Sequence, residues 1–197
     1  INLLGWVGLP ILGTLVTLWP TMLHTRLAPD AERQARRALP LLIGGTLVTT
    51  AGALTGLDLL AAAGVAGYLI GIGLTVAPMV TEMRQRPPAV FASWSALAGV
   101  VWLSGALVAF GVALVSGAAD GLSRIAGQLE AAALIGGVLQ VLLGSLSYLV
   151  PVMVGGGPAA LRRRNARVDR AMTPRLVLLN TALAICVLPS PSAVRVL

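Results

Sequence analysis

Long apolar runs separated by short polar segments organise the chain, and six can be drawn: about 2–23, 39–56, 59–81, 90–116, 131–154 and 174–190. Each is close to the ~20 residues an α-helix needs to cross ~30 Å of hydrocarbon. The runs are continuously apolar rather than alternating, which predicts helices and not barrel strands. Between them stand helix-stopping signals: Gly56 with Asp58, Pro87 with Pro88, and Gly155 to Gly157 followed by Pro158. The sixth run is interrupted by Pro189 and Pro191. The expected fold class is all-α, a polytopic transmembrane bundle of about six helices, with residues 1–197 forming a single transmembrane domain.

Composition excludes the alternative of a soluble fold. Hydrophobic residues make up 57% of the chain and charged residues 11%, against roughly 25% charged in soluble domains, and the mean hydropathy is +0.90. The net charge of +7 comes from 14 basic residues, all arginine, against 7 acids. A topology signal explains this excess better than nucleic-acid binding does, so no nucleic-acid partner is expected. Arg26, Arg33, Arg36 and Arg37 follow the first run, Arg84 and Arg86 the third, and Arg162, Arg163, Arg164, Arg167, Arg170 and Arg175 the fifth. The opposite loops carry only Arg124, with Arg195 beyond the last run. The positive-inside rule therefore predicts an outside N-terminus and cytoplasmic loops at 24–38, 82–89 and 157–175, with the lipid bilayer as the main partner.

An internal repeat is visible in the odd-numbered runs, where Gly13 and Pro20, Gly71 and Pro78, and Gly144 and Pro151 share a seven-residue spacing. A shift of 131 residues pairs Gly5 with Gly136, Leu12 with Leu143, Gly13 with Gly144, Leu15 with Leu146, Leu18 with Leu149, Pro20 with Pro151 and Met22 with Met153. Runs four crossings apart point the same way, so the pattern suggests parallel four-helix repeats; an inverted repeat would need its equivalents to lie an odd number of crossings apart. The frequency of Gly and Pro in transmembrane helices accounts for the same pattern without a repeat. The small residues Gly64, Gly67 and Gly71, and Gly136 with Gly137, read as helix-packing faces.

Candidate chemistry is sparse. The acids Asp30, Glu32, Asp58, Glu82, Asp120, Glu130 and Asp169 fall in loops or at the ends of runs, whereas intramembrane catalysis or ion transport calls for ionisable groups within the spans. Glu130, beside Gln128 and above Gln140, suggests either an outward-facing polar vestibule or an interfacial residue with one inter-helix hydrogen bond at Gln140. His24 is the sole histidine and lacks the second strong ligand that haem or copper requires; Cys186 is the sole cysteine and forms no disulfide within the chain. Asn2, Asn180, Ser93, Ser95 and Ser104 read as helix-to-helix hydrogen-bonding groups, with Trp94 and Trp102 as anchors. The run 162–170 reads as an orientation signal, with contact to anionic lipid or a cytoplasmic partner as the alternative. No catalytic or metal-ligating residue is nominated, and no cofactor-binding residue is identified.

The first run reads Asn2-Leu3-Leu4-Gly5-Trp6-Val7-Gly8-Leu9, then Leu12-Gly13-Thr14-Leu15-Val16-Thr17-Leu18-Trp19-Pro20-Thr21-Met22-Leu23. It resembles the membrane region of actinobacterial copper oxidase and copper nitrite reductase-like proteins, itself similar to the NnrS and haem-copper oxidase type of helical membrane domain. Arg37-Ala38-Leu39-Pro40 and the stretch Leu188 to Arg195 add to the resemblance. It implies a multi-pass domain of a bacterial plasma membrane, copper or haem in the full-length protein, and an extracytoplasmic copper domain elsewhere in that chain. It also implies a histidine just ahead of residue 1, so no ligand maps onto a residue present here. With Ile1 opening directly on an apolar run, the expectation is a fragment whose upstream neighbour is missing. The leading expectation is the membrane domain of a copper oxidase-like redox protein without a complete active site; the alternatives are a small-molecule or ion transporter and a structural anchor or assembly subunit. The sequence leaves the oligomeric state open.

Overall fold

Helix-forming residues carry the helices past the ends of the apolar runs. The computed structural model describes the backbone of residues 2–116 and 119–187, and side chains over 2–116 and 125–187. Its helices are α1 (Asn2–Leu23), α2 (Ala31–Thr55), α3 (Asp58–Gln85) and α4 (Phe91–Val115). The fifth, α5, joins Ala119–Ala131, Ala132–Leu139 and Gln140–Met153, and is followed by α6 (Gly157–Val168) and α7 (Met172–Val187). Among the described residues there is no strand.

Five helices are long and apolar enough to cross a membrane, and six if α6 and α7, bent by 41° at their junction, make one span. The chain is a multi-pass membrane protein with an all-α helical bundle. Helix and apolar run do not share boundaries. α2 begins at Ala31 rather than near 39, because Ala, Glu, Gln and Arg in 31–38 are good helix formers, so Arg33, Arg36 and Arg37 stand on its first turns. α3 runs on to Gln85, where extended Arg86 precedes Pro87. The Arg-rich segment expected as a loop folds as α6, with Pro158 in its first turn. Pro189, Pro191, Arg195 and the stretch from Leu188 lie outside the described residues, as do the side chains of Asp120 and Arg124.

Close backbone approach holds the bundle together. α2 and α3 form a hairpin across Gly56, whose φ of 68° closes the turn. A Cβ on Gly45 would stand 2.7 Å from the Gly64 carbonyl oxygen, and one on Gly71 would stand 2.7 Å from Leu42. Only small residues permit such contact, which is the main source of helix association where lipid removes the hydrophobic difference. α4 meets α5 the same way: a Cβ on Gly99 would lie 2.7 Å from the Gly137 carbonyl oxygen, and one on Gly144 would lie 2.6 Å from that of Ala92. α1 lies across both pairs. Leu15, Trp19 and Met22 pack with Met79, Ala92, Ala96 and Val141, and Leu4 and Leu12 join a second cluster around Tyr68 and Leu103.

Two stretches depart from α-geometry: Asn2–Gly8 and Ala132–Leu139 are π-helical. Under the 131-residue shift the first falls on 133–139, so the two coincide. The Tyr68 hydroxyl donates to the Leu4 carbonyl at 2.8 Å, and the same hydroxyl oxygen lies against the position that a Gly8 Cβ would take. Pro10, just beyond the first stretch, supplies no N–H to the turn before it, a recognised cause of local helix distortion.

Candidate functional site

Among the groupings of polar residues and open space that arise from this packing, three gather the polar residues of the sequence analysis. The first is a cavity of about 410 Å³ lined by Leu3 and Leu4 of α1, Thr49, Thr50 and Leu54 of α2, Leu107 and Phe110 of α4, and Leu129, Glu130 and Ala133 of α5. Both π-helical stretches contribute to its wall. The Thr50 hydroxyl donates to the Thr46 carbonyl at 2.8 Å and that of Thr49 to Ala61 at 3.5 Å. The wall is therefore apolar, with the exposed Glu130 carboxylate its one charged group among the described residues.

The second grouping lies where α4, α5 and α7 meet. Gln140 is fully buried. Its Nε2 donates to Asn180 Oδ1 at 3.0 Å, and Asn180 Nδ2 donates back to Gln140 Oε1 at 3.3 Å. Trp102 Nε1 donates to the same Oδ1 at 2.7 Å, and Asn180 Nδ2 also reaches the Leu176 carbonyl at 2.8 Å. The Ser95 hydroxyl donates to the Gln140 carbonyl at 2.7 Å, at the point where π-geometry gives way to α. This network ties three helices through mutually satisfied groups. Gln140 is not in the cavity wall with Glu130, so the two do not form one vestibule; the inter-helix reading of Gln140 describes its contacts.

The third grouping sits at the opposite end of the bundle. Glu82 is 1% exposed, and its Oε1 accepts the Ala28 N–H at 2.8 Å. The expectation of a loop carboxylate is corrected here: α3 continues beneath the 24–30 connection and the carboxylate pins that connection from below. Nearby, Arg86 Nη1 donates to the His24 carbonyl at 3.0 Å, and Trp19 Nε1 to the Met79 carbonyl at 3.3 Å. His24 takes a left-handed conformation that caps α1, with its N–H on Thr21 and the Thr25 N–H on Pro20. Asp169 Oδ1 accepts the Phe91 N–H at 2.8 Å at the start of α4, a favourable place for a carboxylate. Arg175 lies over the Phe91 ring, 4.6 Å from its centre.

The remaining candidates are dispersed. Cys186 and Asn2 are exposed, and the Ser93 hydroxyl donates to the carbonyl of Val90, the residue just before its helix, 3.0 Å away. Arg164 donates to the Gly155 carbonyl, and Arg175 to that of Val168 at 2.9 Å. Among the described residues no three His, Cys, Asp or Glu side chains converge as a metal site would require. No protein family, no curated protein and no solved structure matches the chain.

Proposed function

We propose that the chain is a scaffold-type membrane domain of a copper oxidase-like redox protein, holding neighbouring parts in place rather than performing the chemistry itself. The scaffold role rests on one observation: the polar groups inside the bundle, Ser95, Trp102, Gln140, Asn180 and Tyr68, are spent on one another or on backbone carbonyls. Such networks fix a unique packing. The redox assignment rests on the resemblance of the first span and on the repeat, and by it copper or haem belongs to the full-length protein. The distribution of arginine supports an outside N-terminus in a bacterial plasma membrane.

Metal content and the visible spectrum of the protein purified from its native membrane test the redox assignment. Copper or a haem band is the expected result, and absence of both overturns it. Cysteine labelling at Arg164→Cys and Leu57→Cys in a Cys186→Ser background tests orientation: only position 57 should react from outside, and the reverse pattern overturns the topology.

The cavity beside Glu130 favours a second reading, uptake of a small apolar cation. Uptake in proteoliposomes that is lost in Glu130→Gln would support this reading in place of the first.

A further inference from the structure

α1 and α2 touch at one level and part at the next. An added Cβ on Gly5 would stand 3.5 Å from Thr46 of α2, whereas one on the exposed Gly13, about two turns further along α1, meets nothing within 4 Å. Where the helices part there is a cleft of about 390 Å³, walled by Leu9, Gly13 and Thr17 of α1 and by Leu39 and Leu42 of α2, with the buried Thr75 of α3 behind them. The Thr17 and Thr75 hydroxyls donate to Thr14 and Gly71 of their own helices, at 3.1 and 3.0 Å, so neither adds a free donor to the wall. Charge stands at one end only. Glu32 and Arg36 line the cleft on the first turns of α2 and pair at 2.6 Å. The two side chains remain 73% and 79% exposed, and a guanidinium has N–H donors to spare beyond one carboxylate. From Arg36 to Leu42 the cleft passes from charged to apolar within about 9 Å of helix.

We propose that this cleft holds a phospholipid with a primary-amine headgroup, its phosphate on Arg36, its ammonium on Glu32 and an acyl chain laid along Gly13 and Leu39. Cleft and lipid change polarity in the same direction, with charge at the bilayer surface and hydrocarbon beyond it. A rim of one guanidinium and one carboxylate complements a headgroup of one phosphate and one ammonium, and the carboxylate opposes a headgroup of net negative charge. A choline headgroup carries the same two charges, but its quaternary nitrogen has no N–H to donate to Glu32. The neighbouring cations do not tip this balance: Arg33 is paired with Asp30, and Arg37 sits about 100° further round α2, off the cleft wall. A helix from a second copy fits less well. It is about 10 Å across, whereas Cα atoms of α1 and α2 come within 8 Å of each other, so it would have to part them. The placement depends on which end of the bundle carries Arg36, and not on which side of the membrane that end faces.

Native mass spectrometry of the full chain tests this, with equal amounts of phosphatidylethanolamine, phosphatidylcholine and phosphatidylglycerol of identical acyl chains added in detergent. The ethanolamine lipid should be retained about tenfold more than either of the others, the worth of one charge-assisted hydrogen bond. Equal retention of the three, or a preference for the glycerol lipid, overturns the proposal. Glu32→Gln leaves Arg36 unopposed and should turn the preference to phosphatidylglycerol; an unchanged ethanolamine preference overturns the role of Glu32. Gly13→Leu fills the cleft from a position whose Cβ has no neighbour, and should cut retention of the ethanolamine lipid about tenfold. Gly73→Leu, at a position equally free of neighbours, should leave it unchanged. Retention that survives Gly13→Leu puts the lipid elsewhere and overturns the site, and a protein dimer lost in Gly13→Leu would put a second copy in the cleft and overturn it equally. Circular dichroism of Gly13→Leu should match the parent. Glu32 is exposed, so Glu32→Gln decides the proposal even where Gly13→Leu alters the fold.

Discussion

Replacing Asn180 by Leu should destabilise the bundle by removing a hub rather than a contact. Its carboxamide receives Trp102 Nε1 and Gln140 Nε2 and returns one bond to Gln140 Oε1. Inter-helix hydrogen bonds in membranes average about 0.6 kcal/mol and reach about 1.7, so three of them amount to about 2 kcal/mol, with about 5 as the upper bound. Leucine recovers little of this, because lipid is as apolar as the side chain. The orphaned Gln140 amide, fully buried, pushes the cost toward the upper end, since an unsatisfied buried group loses more than the net worth of its bond. The double variant Gln140→Leu/Asn180→Leu removes both partners, and should be less destabilised than the sum of the single variants by about 1 kcal/mol. Equilibrium unfolding in mixed micelles, followed by tryptophan fluorescence and circular dichroism, gives all three values. An Asn180→Leu protein within about 0.5 kcal/mol of the parent, or strictly additive single and double variants, would refute the network as a stabilising unit.

Tyr68→Phe should cost about 1 kcal/mol through loss of the bond to the Leu4 carbonyl, and Gly8→Ala should cost about 1–3 kcal/mol by driving a methyl into the Tyr68 hydroxyl; both are measured by the same unfolding assay. Gly64→Leu should separate α2 from α3 and abolish folded protein on size-exclusion chromatography, whereas Gly73→Leu leaves the elution profile unchanged. Glu82→Ala should free the 24–30 connection and speed trypsin cleavage after Arg26. Glu82→Gln keeps an acceptor for the Ala28 N–H, so its cleavage rate should stay near that of the parent.

The apolar runs announced the helices because a bilayer imposes length and polarity directly, and the small residues Gly64, Gly71, Gly136 and Gly137 announced their own packing faces. Helix ends were less legible. Hydropathy marks where the chain meets hydrocarbon, while propensity decides how far the helix continues, so the Ala31 start of α2 and the Gln85 end of α3 lay beyond the runs. Glu82 stands one residue from Met83 and two from Arg84, which gives it the local look of a loop; its partner is the backbone at Ala28, 54 positions away. The Trp102, Gln140 and Asn180 cluster was equally hidden, since its members are separated by 40 and 78 positions and nothing local couples them. Gly13 and Gly144 make the limit plain, being the same residue in the same motif with opposite surroundings.

The π-helical stretch at Ala132–Leu139 also acts as a phase shifter within α5. An α-helix advances about 100° per residue, so the register adopted across 132–139 sets the azimuth of everything after it relative to everything before it. Glu130 can thereby look into the cavity while Gln140 looks toward α7. Deleting one residue from the stretch would rotate Gln140 by about 100° away from Asn180 and leave the Glu130 end undisturbed. In this sense the irregular turn is an indexing joint, and its recurrence at Asn2–Gly8 means that two parallel helices of the bundle are indexed alike.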